Sequence, residues 1–168
     1  MTQHHPALIA QCSLPSPLGP MLATATEQGL AGLFFDAQAH HPGATGVPEN
    51  PAHPVLRAAA QALAAYYDGE AEPLRLVALD LHGTAFQLAV WRALQTLARG
   101  ATRSYGQIAA LAGAPAAVRA AGAAIGRNPV SILVPCHRVI GRSGSLTGYA
   151  GGLDRKRALL QLEGVLLL

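Results

Sequence analysis

The sequence predicts an α+β protein in two parts that meet near residue 81, and three observations carry that prediction. Residues 8–35 hold short apolar runs separated by turn residues, the pattern of a strand meander. From Thr84 onward apolar residues recur at three- and four-residue spacing behind helix-opening signals. Charge divides at the same place: residues 1–80 carry two arginines against seven carboxylates, a net −5, and residues 81–168 carry ten Lys or Arg against two carboxylates, a net +8. With 51% apolar and 12% charged side chains over 168 residues, the chain has material for a buried core and is not disordered.

Leu8-Ile9-Ala10, Leu22-Ala23-Thr24 and Leu30 to Phe35 are the predicted strands, with Glu27-Gln28-Gly29 as a turn. Residues 36–54 collect Pro, Gly and His and read as an exposed loop. Its histidines, His40, His41 and His53, and the terminal His4 and His5, show no tight metal-ligand spacing with cysteine and read as solvated. Pro54 to Tyr67 is predicted as a helix with Val55, Leu56, Ala59, Leu63 and Tyr66 on one face, closed by Asp68-Gly69. Leu74 to Leu79 reads as a further strand. Nothing in residues 1–81 suggests chemistry.

Residues 82–168 form the second predicted domain. Thr84 and Gln87 make a capping box, and Phe86, Val90, Leu94 and Leu97 give the core stripe of a helix ending at Arg99-Gly100. Trp91 reads as core. A second capping box, Ser104 to Gln107, opens a short helix reaching Gly113, and Ala114-Pro115 is expected to start the next. Helix, Gly-containing turn, helix is the helix-turn-helix layout. The second helix is almost all methyl groups and glycines, with one long cation, Arg119, in its middle. Tiny side chains fit either a tightly packed core helix or one whose backbone approaches a partner closely. Asp154 begins a last helix with Leu159, Leu160 and Leu162 on its apolar face. Arg155-Lys156-Arg157 near its start and Glu163 at its end both oppose the helix dipole. Residues that break a local rule are candidates for work elsewhere.

Two cysteines 124 positions apart make no disulfide framework and suggest a reducing compartment. There is no signal-peptide pattern and no apolar stretch of the roughly 20 residues a membrane span needs, the Leu166 to Leu168 tail being far too short. A strongly basic half is the electrostatic footprint of a nucleic-acid binder or an arginine-rich solvated surface.

Chemistry concentrates in Pro135-Cys136-His137-Arg138-Val139-Ile140, which follows the apolar run Val130 to Val134 and reads as a buried strand emerging into a loop. Free cysteines are often small buried hydrophobes, so Cys136 alone supports either packing or catalysis. A thiol titrates near ~8.5 and needs activation. In an extended strand, His137 would point away from Cys136, so the two need a bridging water or a turn to communicate. Glu163 could orient His137 as the third member of a nucleophile–base–orienter set.

The stretch from Phe86 to Gly164 resembles the C-terminal domain of the O6-alkylguanine-DNA alkyltransferases, also called methylated-DNA–protein-cysteine methyltransferases. Six segments carry the resemblance in the family's order. They are Ser104 to Gln107, Val118 to Ala124, Asn128-Pro129, Pro135 to Val139, Gly148 to Gly152, and Leu162 to Gly164. It implies a ribonuclease-H-like N-terminal domain and a mainly helical, winged-helix-like C-terminal domain. The implied partner is duplex DNA, entered from the minor groove by a monomer acting in the cytoplasm. The damaged base is flipped out and its alkyl group moves irreversibly onto Cys136, with no cofactor and no metal.

By motif, Cys136, His137 and Glu163 form the reacting set, Tyr105 donates to the flipped base, and Asn128 is a hinge. Arg119 fills the gap in the stack, while Ala120, Gly122 and Ala123 line the DNA-facing helix. Val139, Tyr149, Ala150 and Ile125 shape the pocket. The structural zinc of some members is not carried over, because Cys12 is the one cysteine besides Cys136. Three rivals are weighed on the sequence: a lesion binder without transfer, against which the acceptor Cys136 speaks, a cysteine hydrolase using His40, His41, His53 or His82, and a major-groove helix-turn-helix regulator.

Overall fold

The computed structural model describes residues 7–70 and 72–165; His4, His5 and the Leu166–Leu168 tail lie outside them. The architecture is α+β, in two units. One comprises the residues up to His82 with Pro129–Ser131; the other comprises Gly83–Asn128 and the residues from Ile132 on.

In the first unit, β1 (Ala10–Leu14), β2 (Met21–Ala25) and β3 (Leu30–Phe35) form an antiparallel sheet in that order. The first strand begins where the apolar run Leu8–Ala10 ends. Alternation decides this: Ala10, Cys12 and Leu14 turn inward while Gln11 and Ser13 do not. The Thr26 hydroxyl accepts from the Gln28 and Gly29 N–H groups and closes the β2–β3 turn. Helix α1 (Pro54–Tyr67) starts on a His53 cap and buries Leu56, Ala59, Ala62, Leu63 and Tyr66, while Val55, expected on that face, is only half-buried in the first turn.

The strand expected over Leu74–Leu79 is a correction. Glu72–Arg75 forms a helical turn, α2, and only Leu79 bridges to Leu30. Pro73 suits a first helical turn and lacks the N–H a ladder needs. What pairing there is comes from Leu30 N–H to Ala78 O at 2.8 Å and Asp80 N–H to Leu30 O at 2.9 Å. That close approach needs Gly29, where a Cβ would lie 2.6 Å from the Ala78 oxygen.

In the second unit, α3 (Ala85–Gln95) opens on the Thr84–Gln87 capping box with both reciprocal bonds formed. It ends at Gln95, short of the expected Arg99-Gly100, because the Thr96 hydroxyl folds back on Ala93 O at 2.7 Å. Gly100, at φ +79°, lies inside a separate turn closed by Ala101 N–H to Ala98 O. Trp91 is buried, and its indole N–H donates to Ala124 O at 2.9 Å. This bond ties α3 to α5 (Val118–Gly126).

Helix α4 (Tyr105–Leu111) has its own complete capping box at Ser104 and Gln107. Residues 114–117 form a turn, with Ala117 N–H on Ala114 O, so α5 starts at Val118 and not at Ala114-Pro115. Arg119 therefore occupies the first turn of α5, not its middle. Short strands β4 (Arg103–Ser104) and β5 (Val139–Ile140) pair in parallel, Arg103 opposite Val139. Helix α6 (Leu153–Leu162) buries Lys156, Leu159 and Leu160, while Leu162, expected on the apolar face, is exposed. Among the described residues no helix is long and apolar enough to cross a membrane.

Candidate active site

Cys136 sits on a turn, which corrects the strand expected there. Cys136–Arg138 is a single 3-10 turn closed by Arg138 N–H to Pro135 O at 3.0 Å and Val139 N–H to Cys136 O, and a tighter turn, Cys136 N–H to Val134 O at 2.8 Å, leads into it. At three residues per turn, consecutive side chains diverge by about 120° instead of alternating between two faces. Arg138 and His137 both reach Glu163, while Cys136 lines a cavity. Just upstream, Ile132 is held at φ 72°, a backbone conformation that β-branched residues rarely adopt.

Helix α6 delivers Glu163 as its C-terminal cap. Its Oε1 accepts from His137 Nε2 at 2.7 Å and from the Arg138 guanidinium at 2.8 Å, and Oε2 accepts from Arg138 Nε at 2.9 Å and Gly100 N–H at 3.3 Å. Arg138 also donates to Leu97 O at 2.6 Å. Burial alone would push the Glu163 carboxyl up, but the bonds and charges of His137 and Arg138 outweigh it and hold the group below the usual carboxylate range. Glu163 is thus a permanent acceptor, and Arg138 neutralises the charge that would otherwise be stranded at a helix C-terminus.

Burial pulls the His137 imidazole below its ordinary value, opposed by the Glu163 hydrogen bond and charge. The ring is therefore neutral near pH 7. With its Nε2–H committed to a carboxylate, the lone pair falls on Nδ1, which is buried and has no hydrogen-bond partner among the described residues. An orphaned basic nitrogen inside a protein is a proton acceptor in waiting.

The Cys136 thiol is raised, burial outweighing the lowering effects of the Asn128 bond, the Lys156 charge and nearby backbone N–H groups. It rests as a thiol, so a base is required. Asn128 is itself buried; its amide donates to Val134 O at 2.7 Å and to the sulfur at 3.1 Å, locking the thiol's position from the end of α5.

The sulfur, only 4% exposed at residue level, opens onto a cavity of about 140 Å³. Tyr105, Ile125, Tyr149 and Ala150 line it. Gly122, Gly126 and Gly148 line it too. The sequence marks Gly148 as part of a motif and Gly126 as part of a helix but neither as a cavity wall, although 122, 125 and 126 fall at helical spacing on one face. Val139 does not line the cavity: it is fully buried, and its N–H is spent on Cys136 O. Lys156 is the residue the sequence showed only as one of a cation cluster. Its ammonium is buried and donates to Thr147 O at 2.9 Å and Gly148 O at 3.1 Å. Burial draws it down to about 8, against the pull of Cys136. Its place three and four residues before Leu159 and Leu160 was the available signal.

Along α5, Arg119, Ala120 and Ala123 are exposed while Ala121, Ala124 and Ile125 are buried. One helix thus carries exposed Arg119, Ala120 and Ala123 beside the Gly122, Ile125 and Gly126 that line the cavity.

Comparison with known proteins gives this geometry a context. Residues 85–165 match the family described as the DNA binding domain of 6-O-methylguanine DNA methyltransferase, and residues 11–81 match its ribonuclease-like domain. The chain is 49% identical, over 93% of both sequences, to a methylated-DNA–protein-cysteine methyltransferase of Mycolicibacterium paratuberculosis. It is 38% identical to the protein of that name from Haemophilus influenzae, covering 90% of this chain and 84% of the relative. Its fold is similar to the crystal structure of Mycobacterium tuberculosis OGT in complex with DNA, with a TM-score of 0.84 and 46% identity over 93% of each chain.

Proposed function

This chain belongs to the methylated-DNA–protein-cysteine methyltransferase family, and from that premise we propose that it repairs DNA by taking the alkyl group of O6-alkylguanine, and of O4-alkylthymine, onto Cys136. One observation carries the assignment of roles: a buried thiol lines a cavity, and the residue after it is an imidazole hydrogen-bonded to a carboxylate, with its other nitrogen unpaired among the described residues.

DNA binds through the exposed face of α5, entered from the minor groove. The small side chains of Ala120, Gly122 and Ala123 let the helix backbone approach, and Arg119, exposed and without a hydrogen bond or ion pair among the described residues, fills the space the flipped base vacates. The base enters the cavity between Tyr105, Tyr149 and Ala150. Attack then forms an S–C bond as the C–O6 bond breaks, and the electron pair passes to the guanine. Through a bridging water, the thiol proton moves to His137 Nδ1, and Glu163 stabilises the imidazolium. Tyr105 donates its hydroxyl to N3 of the departing guanine, where negative charge develops. Arg138 keeps Glu163 ionised, so the proton rests on His137 and travels no further.

The product is a thioether, which water does not cleave, so each molecule acts once. The protein works as a monomer in the cytoplasm and needs no cofactor. A hydrolase would need one of His40, His41, His53 or His82 as base; His137 already holds that role beside the thiol. Intact mass after incubation with duplex DNA containing O6-methylguanine tests the proposal. One methyl group per protein is expected, and none in Cys136→Ser; an unchanged wild-type mass, or methylation of the variant, overturns it.

A further inference from the structure

Two donors converge on one backbone carbonyl beside the cavity. The Tyr105 hydroxyl donates to Thr147 O at 2.8 Å, and the Lys156 ammonium donates to the same oxygen at 2.9 Å and to Gly148 O at 3.1 Å. A carbonyl oxygen has two lone pairs, so both donors are accommodated. Thr147 and Gly148 lead directly into Tyr149 and Ala150, which wall the cavity.

Lys156 stands where a cation is costly. It is 1% exposed, lies in the first turn of α6 against the helix dipole, and makes no ion pair among the described residues. A fold that keeps such a group uses it for something apolar residues cannot do. Arg155 grips the same loop further on, its guanidinium donating to Gly151 O at 3.2 Å, while Lys156 holds Thr147 and Gly148. Within residues 141–152 the backbone bonds are local turns, Gly141 N–H to Ser145 O, Gly144 N–H to Gly141 O and Gly152 N–H to Tyr149 O.

If Tyr105 is the donor to the flipped base, its hydroxyl must leave Thr147 O when the base arrives. We propose that Lys156 is a positioning residue that holds the Thr147 and Gly148 carbonyls in place while the Tyr105 hydroxyl transfers from Thr147 to the base. Lys156 makes the exchange cheap, because the carbonyl keeps a partner and the cavity wall keeps its shape. The inference rests on the reading of Tyr105 above and goes beyond it by assigning the group that frees the tyrosine.

The test compares single-turnover transfer from duplex DNA carrying O6-methylguanine with transfer from its 3-deaza analogue, which lacks the N3 acceptor. In the wild type the analogue reacts at least about tenfold more slowly. In Tyr105→Phe that ratio falls below about threefold; if it does not, the reading of Tyr105 fails. In Lys156→Met the ratio also falls below about threefold, because the tyrosine stays committed to the loop or the wall moves when it leaves. A defect that is merely structural slows both substrates alike and keeps the wild-type ratio, and that result overturns the role of Lys156. A second measurement does not depend on a folded lysine variant. Trypsin cleavage after exposed Arg142 proceeds in Tyr105→Phe within twofold of the wild-type rate if Lys156 holds the loop; faster cleavage means that Tyr105 held it, and the inference is lost.

Discussion

His137 Nε2 and Glu163 Oε1 lie 2.7 Å apart with both side chains closed to solvent. The carboxylate fixes which ring nitrogen carries hydrogen and leaves the other free to accept one. Removing its charge should therefore strike the chemistry before it strikes recognition. Glu163→Gln is expected to slow transfer about a hundredfold or more, with DNA affinity within twofold of the wild type. It also strips Arg138 of its counter-charge, costing about 3 kcal/mol of stability. Single-turnover kinetics, DNA titration and thermal melting read these separately; an unchanged transfer rate would remove Glu163 from the relay.

The pH profile follows from the same pair. Transfer needs neutral His137, and burial lowers its pKa, so the rate should stay flat from neutral pH to below about 6.5 and decline only in more acid solution. Stability moves the same way. His137 binds a proton less readily folded than unfolded, and Glu163 is likewise depressed. Their contributions are fully present above the unfolded values, near ~6.5 and ~4.3, and are lost as pH falls through the folded ones. A rate or melting temperature that improves on acidification below neutral pH contradicts both directions.

Asn128 holds the sulfur and the Val134 carbonyl at once. Asn128→Ala leaves a buried carbonyl without that donor, at a cost of about 1–3 kcal/mol. Transfer to the free base O6-benzylguanine should fall together with transfer to DNA, since the thiol itself loses its positioning. Loss confined to DNA substrates would mean that Asn128 serves α5 and not the thiol.

Arg119 is exposed and points the other way in this comparison. Arg119→Ala should slow repair in duplex DNA more than about tenfold while leaving transfer from O6-benzylguanine within twofold. Salt titration of duplex binding should also give a shallower slope, because one cation near the phosphates is gone. Equal losses on both substrates would end the stacking role.

Gly126 lines the cavity, and a methyl group there would meet nothing within 4 Å. Gly126→Ala should thus fold well, gaining about 0.5–1 kcal/mol from helix propensity. Gly126→Val should narrow the cavity enough to slow benzyl transfer more than methyl transfer. Comparing the two alkyl groups on one DNA duplex checks this; equal slowing would put the alkyl group elsewhere.

Local rules carried much of the fold. Both capping boxes, the core position of Trp91, the α1 face and the β2 and β3 strands depend on short-range periodicity and caps, so they are legible without coordinates. The errors arose where a short apolar run can serve several backbones: Leu74–Leu79 became a helical turn with one bridge, and Pro135–Ile140 a 3-10 turn leading into two strand residues. Likewise, the motif places Val139 at the pocket, yet the turn spends its N–H on Cys136 O.

The sequence by itself determined the element types, the division of charge and the list of reactive side chains, because those follow from neighbours a few residues apart. Only the tertiary structure decided their states. Glu163 meets His137 across 26 positions, Tyr105 meets Thr147 across 42, and the Lys156 ammonium is buried against a loop eight and nine residues before it. Protonation and acceptor choice depend on desolvation and on distances between remote residues, and those quantities exist only once the chain has closed on itself.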